Sequence, residues 1–572
     1  MMSNLYALLI GIDYYEPNPY YNSLQGAVRD IDKVASYLQT SLQVPPERMT
    51  RLTAPLPDTN TLKDVRSARQ EQPPTYQNIV TAFNQITDTA QPQDLVYIHY
   101  SGHGGRVKTI FADLKGEGQF DEGLVPMDVG NESYYLRDVE MATLLKRMTD
   151  KGLIVTVVFD SCHSGGATRG DGEIRGARTG AVDLQNRPTD SVVATRGELV
   201  QNWLTLTQND GKESWLPNQS DYVFLGACRP SEYAYEAAFG TGRERNGALT
   251  YWMLDTLANS KSALTYQSLY NRVKGMIQSR FPNQLPMLLG ASDRLVFGDK
   301  QQYRPYTVVV TNVTEDQTEI TLDAGMSAGL SSGTRFAIYP TDDVADKTQQ
   351  LAIVELTDEM QADRSIARIL TPDEGGAIVK GKIAPGASAI IVAAPVNLIG
   401  KVRLFADKKL GDREEDLSVN LVDRQTEALA KIRQALVGNG WVVEVKNGEE
   451  SHYQVAVGKE GEYEICIGMP VENVRPLLKI NDPAAPQQVV DRLVHLVKYQ
   501  AVQELDNPAS DLIDRLEFEL CDANKQPFPN PQNVSLKPGE ISYLKIKNTH
   551  SQILNVAVLD LEPTWAISQV PI

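Results

Sequence analysis

The stretch LVYIHYSGHGGR, residues 95–106, begins as a buried strand and ends in a histidine set among glycines. An apolar run of this length reads as a β-strand buried on both faces, the kind found in parallel sheets. A second stretch, GLIVTVVFDSCHSGG at 152–166, follows the same plan and ends in Asp160, Ser161 and Cys162. Working outward, LYALLIG at 5–11 is another apolar run, and shorter strands are predicted near 48–53 and at 221–228. Between them, Ala27, Val28, Ile31, Val34, Ala35 and Leu38 recur at helical spacing, and further helices are predicted at about 76–90, 138–149, 247–259 and 265–280. Strands alternating with helices imply right-handed βαβ units and a mostly parallel sheet covered on both faces. In such sheets ligands and chemistry gather at the carboxyl ends of strands. His103 and Cys162 both lie there.

The rest of the chain narrows the setting. At 572 residues it is too long for one ordinary core, and two to four domains are expected. The first runs over 1–300. Beyond it the apolar period changes to two, so 301–397 reads as a β-rich barrel or sandwich. Residues 398–508 mix strands with helices such as QTEALAKIRQALVGNG, and 509–572 returns to strands. A formal net charge of −18 argues against nucleic acid as a partner. Four cysteines without a CxxC pair suggest neither a disulfide framework nor zinc, and point to a reducing compartment, here the cytoplasm. His99 and His103 lack the third ligand and the HExxH helix that zinc would want. No run is long enough for a membrane span, and MMSNLYALLIGIDYY reads as a first strand rather than a signal peptide. The chain stops soon after an apolar strand with no evident terminating element, so a truncated chain is one expectation.

If the two strands are neighbours, a cysteine and a histidine face one another across a crevice, as a nucleophile and its base do. A thiolate attacks, and the imidazole stabilises it and later protonates the leaving amine. The backbone N–H groups of Gly104 and Cys162 are candidate donors to a tetrahedral oxyanion, and the glycines are expected to keep the substrate's path clear. Each motif alone has a plainer reading, a buried small residue for Cys162 and a turn for SGHG. Their joint placement favours the chemistry.

YIHYSGHGGR together with VVFDSCHSGG, preceded by YALLIGIDYY and LQGAVRDIDKVASYL, closely resembles the caspase-like peptidases of the metacaspase and orthocaspase branch over roughly residues 5–290. The resemblance implies a caspase-type α/β/α sandwich, a Cys162–His103 dyad and cleavage after Arg or Lys. It assigns Asp160, Asp30 and Ser101 to the primary pocket, and Asp121 to an acidic loop that serves either pocket or ion binding. The competing reading of Asp30 is a solvated helix face, and that of Asp160 a cap or turn. GACRPSEYAYE also matches a family segment, in which Glu232 or Glu236 reaches the substrate. Carboxylates in a partly dry pocket select a cationic side chain.

No cofactor is expected to be required. Where calcium-dependent relatives carry an aspartate seven residues after the nucleophile, this chain has Arg169, which opposes a calcium site there. The acidic stretch FADLKGEGQFDEG leaves calcium open elsewhere, with the balance against it. Partners are protein or peptide substrates, with a protein partner also open for the C-terminal domains, which resemble accessory domains of bacterial caspase-like peptidases. The alternative is an idle caspase-fold scaffold acting through those domains. Finally, residues 165–220 read as a long mobile loop carrying Arg169, Arg175, Arg178, Arg187 and Arg196. Self-cleavage is expected within it, with Arg178 and Arg196 the preferred sites.

Overall fold

A computed structural model describes residues 4–57, 72–162, 173–177, 182–208, 222–300 and 307–570, less short interruptions within these ranges, of which the longest is 406–418. Two compact units divide the chain near residue 312.

The first unit is built on the strands β1 (Leu5–Ile12), β2 (Met49–Ala54), β3 (Leu95–Ser101), β4 (Gly104–Lys108), β5 (Phe120–Leu124), β6 (Leu136–Arg137), β7 (Ile154–Asp160), β8 (Glu173–Ile174), β9 (Tyr222–Gly226), β10 (Tyr235–Phe239), β11 (Glu244–Gly247) and β12 (Met287–Gly290). Six of them form one sheet in the order β12-β9-β7-β3-β1-β2. Its five members other than β12 run parallel, and β12 is an antiparallel edge. The helices longer than one turn are α1 (Ala27–Thr40), α2 (Tyr76–Thr89), α3 (Asp138–Asp150), α4 (Arg196–Gln208), α5 (Ala248–Asn259) and α6 (Tyr266–Arg280). Side chains of α2 and α3 share a core with one face of the sheet, including Leu8, Ile98 and Val157. Those of α1, α5 and α6 share the other core, with Leu9, Tyr97 and Val158. Alternate residues of each strand thus enter opposite cores, which makes an α/β/α sandwich and explains why the strands read as unbroken apolar runs.

Two features of this frame aim the site. β3 and β7 pair in register, Ser101 opposite Asp160, so the chain leaves both strands in step and the turns carrying His103 and Cys162 start side by side. Asp13, just after β1, accepts the first N–H groups of α1, from Ala27 at 2.8 Å and Val28 at 3.4 Å. A carboxylate here suits the positive end of a helix and fixes where the first turn of α1, with Asp30, lies.

One expectation needs correction. Residues 196–208 form helix α4 rather than loop. Leu199 is buried, and Val200 and Trp203 pack half-buried against the same core as α3. Thr195 caps the first turn by accepting the Glu198 N–H, and Glu198 pairs with Arg147 of α3. Five apolar residues among eight polar or small ones give a weak period, and tertiary packing supplies what the pattern lacks.

Beyond residue 307 the period-two segments close into a six-stranded barrel spanning 308–393. A mixed sheet follows, in which Gly400–Phe405 pairs parallel with Val442–Glu444 and Tyr453–Val457, together with the helices Val419–Leu436 and Ala485–Gln503. Two antiparallel strand pairs, Leu516–Cys521 with Tyr543–Asn548 and Val558–Leu561 with Ile567–Val570, end the chain. No helix among the described residues is long and apolar enough to cross a membrane.

Candidate active site

His103 is buried at the mouth of β3 and is held from several sides. Its backbone N–H donates to the Tyr15 hydroxyl at 2.7 Å, and its carbonyl accepts the Tyr100 hydroxyl at 2.6 Å. Tyr15 and Tyr21 flank the ring, with centroids 4.8 and 5.3 Å away. Nε2 lies 2.7 Å from the Asn22 carbonyl, which assigns the proton to that nitrogen and leaves Nδ1 as the basic one. Nδ1 is buried without a hydrogen-bond partner. Burial lowers the imidazole pKa to about 4, so the ring is neutral at physiological pH.

Cys162 is fully buried, a free thiol beside a second one, Cys228. Its Sγ accepts the Ala234 N–H at 2.8 Å. The glycines after the histidine are set by close approach of neighbouring groups. A Cβ on Gly104 would overlap the Cys162 carbonyl oxygen, and one on Gly105 would overlap the Tyr21 hydroxyl. Glycine is what lets the two strand ends approach closely.

Beside this pair lies a closed pocket with an occupant that belongs to the chain itself. Arg175, just after β8, is wholly buried. Its Nη2 lies 2.7 Å from Asp30 and 3.2 Å from Glu236, and Nη1 lies 3.3 Å from Asp160 Oδ1. Nη1 also donates to Ser101 Oγ at 2.7 Å and to the Asp160 carbonyl at 3.2 Å. The Arg175 carbonyl accepts N–H bonds from Cys162 at 3.0 Å and Gly104 at 3.3 Å, and its own N–H donates to the Ala234 carbonyl at 3.0 Å. The structure therefore brings together His103, Cys162, Gly104, Asp30, Ser101 and Asp160 of the residues selected from sequence. Asp30 is on a buried face, not a solvated one, and burial raises its pKa to about 6 despite the opposing Arg175 charge.

The pocket also uses residues whose roles sequence reasoning left open or missed. Glu236 completes the acid set, whereas Glu232 accepts the Leu285 N–H instead. Asn246 and the Gly247 N–H donate to Asp30, and the Thr250 N–H and hydroxyl donate to Asp160 at 2.9 and 2.7 Å. A Cβ on Gly247 would overlap both Asp160 and the Arg175 guanidinium. His99 lies against Thr250 at 3.0 Å and Tyr97 at 2.8 Å, and burial lowers its pKa to about 3, so it supports the pocket as a neutral ring. No short motif marks these positions, because β10, β11 and α5 meet the pocket only through the fold.

Other selected residues lie elsewhere. Asp121 is in strand β5, buried in ion pairs with Arg137 at 2.5 Å and Lys115 at 2.9 Å, and is not among the groups around Arg175. Arg196, expected on a loop, starts helix α4 and pairs with Asp113 at 2.5 Å. Arg187 is buried against Asp183. Arg178 and Arg169 lie outside the described residues. Among the described residues no group of three His, Cys, Asp or Glu side chains is arranged to hold a metal ion.

Residues 6–169 match the model of the metacaspase peptidase C14 domain. Over these residues the chain is similar to the cysteine-type peptidases of the metacaspase family. Among curated relatives, it is 28% identical over 299 residues to Metacaspase-1 of Mycosarcoma maydis, covering 49% of this chain and 69% of that protein. It is 35% identical over 161 residues to Metacaspase-1B of Neurospora crassa and 32% identical over 161 residues to Metacaspase-1A of Aspergillus oryzae. Each of these two alignments covers 28% of this chain and 34% of the relative. The chain thus spans about a third of the length of two of these metacaspases and two thirds of the other. The matched residues 6–169 lie within the α/β/α unit, and the β-rich segments after 307 lie beyond the matched domain.

Proposed function

We propose that the protein is an endopeptidase that cuts peptide bonds after arginine, and less readily after lysine, with Cys162 as nucleophile and His103 as base and acid. The observation that carries this reading is the guanidinium of Arg175 in a pocket of three buried carboxylates, with the carbonyl of the same residue on two backbone N–H groups beside Cys162. A substrate arginine in that position would have its scissile carbonyl polarised by the Gly104 and Cys162 N–H donors, where negative charge develops during attack. His103 Nδ1 takes the thiol proton and returns it to the leaving amine. These are all groups of the chain, so the reaction as drawn needs no cofactor.

Arginine is preferred because the acceptors are spread around a fork. Asp30 and Glu236 address one terminal nitrogen, and Ser101 and Asp160 the other. A lysine ammonium reaches fewer of them at once. An acidic residue would place like charge among buried carboxylates. The test is initial-rate turnover of matched fluorogenic peptides ending in Arg, Lys or Asp. Preference for Arg over Lys, with no turnover of Asp, is expected, and better cleavage after Asp would overturn the reading.

A further inference from the structure

We propose that His99 is a specificity-determining positioning residue: through the Thr250 hydroxyl it fixes which oxygen of Asp160 meets the substrate's cation, and so widens the preference for arginine over lysine. This rests on the function proposed above and deepens it by naming how the pocket is held in its selective form.

Strand β3 reads LVYIHYS, and a histidine in its middle is out of keeping with a strand buried on both faces. Residues 97, 99 and 101 share one face of the strand, and all three are buried. Tyr97 joins the apolar core, Ser101 reaches the Arg175 guanidinium, and His99 stands between them. A polar ring is costly to bury unless its nitrogens are satisfied. Here both are. Nδ1 lies 2.8 Å from the Tyr97 hydroxyl and Nε2 lies 3.0 Å from Thr250 Oγ1.

The direction of these bonds follows from counting protons. Burial, with the Arg175 charge nearby, holds the imidazole neutral, so the ring has one N–H to give. The Thr250 hydroxyl also has one proton, and it goes to Asp160 Oδ2 at 2.7 Å. The Thr250 oxygen must then accept from His99, which puts the ring proton on Nε2 and leaves Nδ1 to accept from Tyr97. The alternative acceptor for the Tyr97 hydroxyl, Met253 Sδ at 4.0 Å, is weaker. With the ring proton on Nδ1 instead, Nε2 would draw the Thr250 proton to itself and away from Asp160.

Asp160 Oδ2 also accepts the Thr250 N–H at 2.9 Å, one of the free donors in the first turn of α5. Two bonds on Oδ2 hold the carboxylate plane. They leave Oδ1, which has no hydrogen-bond partner, 3.3 Å from Arg175 Nη1. That oxygen is open to one prong of a guanidinium, while Asp30 and Glu236 take the other. A lysine ammonium is a point charge and gains less from a carboxylate held in one plane. Asp30 is held by different donors, Asn246 and the Gly247 N–H, so the bonds that start at His99 end on one acid of the three.

The test is steady-state turnover of matched Arg, Lys and Asp peptides by the full chain and its variants, each first shown folded by its melting curve. His99→Phe keeps a flat ring and removes the donor. KM for the Arg peptide should rise about tenfold with kcat lowered no more than about twofold, the pattern of lost binding rather than lost chemistry. KM for the Lys peptide should rise less, so that the Arg-over-Lys ratio of kcat/KM narrows by about threefold. His99→Gln, whose amide offers an N–H and a carbonyl, should recover most of the loss. Thr250→Val should weaken Arg binding at least as much as His99→Phe, and Thr250→Ser, which keeps the hydroxyl, should recover most of that. Because the two side chains act along one line of bonds, the double variant His99→Phe/Thr250→Val should be no worse than Thr250→Val alone. Effects on KM that multiply in the double variant, an Arg KM unmoved by His99→Phe, or a fall in kcat with KM unchanged each overturns this inference and leaves the proposed function standing. If His99→Phe does not fold, Tyr97→Phe, which frees the ring to take either tautomer, replaces it in the same cycle. A rise of a few fold in the Arg KM that vanishes in the Thr250→Val background then supports the inference, and any other result overturns it. A wild type that turns over no Arg peptide, or turns over the Asp peptide better, overturns both.

Discussion

Arg175 and Arg187 are both buried arginines in the first unit, and they are buried among different partners. Arg187 is balanced locally. Asp183 four residues earlier takes Nε and Nη2, three backbone carbonyls take Nη1, and the Tyr135 ring lies 5.4 Å below the guanidinium. Arg175 has three carboxylates, delivered by α1, β7 and β10, while its Nε has no partner. A fold that only needed to satisfy an arginine would not gather three acids, since each costs several kcal/mol to desolvate. An excess of buried negative charge is the mark of a place built to receive a cation. A matched pair marks a place built to hold the chain together.

The largest effect should come from the nucleophile. Cys162→Ala is expected to remove all turnover of an Arg peptide while leaving the protein folded, with a melting temperature lowered by no more than a few °C, since the change removes only a sulfur atom from the buried site. Activity in the purified variant would end the comparison by removing the chemistry from the Arg175 pocket.

The two acids should then separate. Asp160→Ala is expected to lower kcat/KM for Arg peptides by about 10²–10³, the rate equivalent of losing one partner of a buried pair at about 3–5 kcal/mol. Asp183→Ala should instead lower stability by a similar energy, read in urea, with kcat/KM of the folded protein changed less than about threefold. Equal effects of both changes on kcat/KM would show that the pockets do not differ in purpose.

Glu236→Gln is a subtler probe. It keeps the shape, removes one charge and leaves Asp30 and Asp160 in place, so KM for Arg should rise by about tenfold, the scale of one charge-assisted hydrogen bond, with kcat little changed.

The smallest expected effect is on pH. Burial raises the Asp30 pKa to about 6, above the ordinary carboxylate range. Protonation removes negative charge from the pocket, so KM for Arg peptides should increase a few fold as pH falls through about 6 and be flat above it. For stability the sign is opposite to that of an ordinary surface carboxylate: a raised acid pKa means the folded state holds its proton more tightly, so this group favours folding at pH below about 4 and that contribution is lost as pH rises through 6. Asp30→Asn should flatten the KM profile in this range, and an unchanged profile would assign the titration to another group.

Much of this was legible in the sequence. The strand and helix placements around the sheet could be read because burial on both faces imposes unbroken apolar runs on strands, and the amphipathic period imposes itself on α1 and α2. His103 and Cys162 stood out because chemistry at strand ends needs a rare pair of residue types with glycine around them. Helix α4 escaped notice because packing on α3 substitutes for a strong period. Asp121 looked like Asp160 by type, and only its neighbours Arg137 and Lys115 set it apart.

What the tertiary structure alone decided is who meets whom at the end of β3 and β7. Asp30, Ser101, Asp160, Glu236, Gly247 and Thr250 come from elements up to 220 positions apart, as their residue numbers show, and no local pattern links them. The sequence offers five arginines after the nucleophile as candidates and favours Arg178 and Arg196. Their difference lies in backbone context: one sits in an added strand with its carbonyl on two N–H donors, one is locked to a nearby aspartate, and one opens a helix. A side-chain type can be read from a sequence, but the hydrogen bonds available to its carbonyl are set by segments that only folding brings alongside.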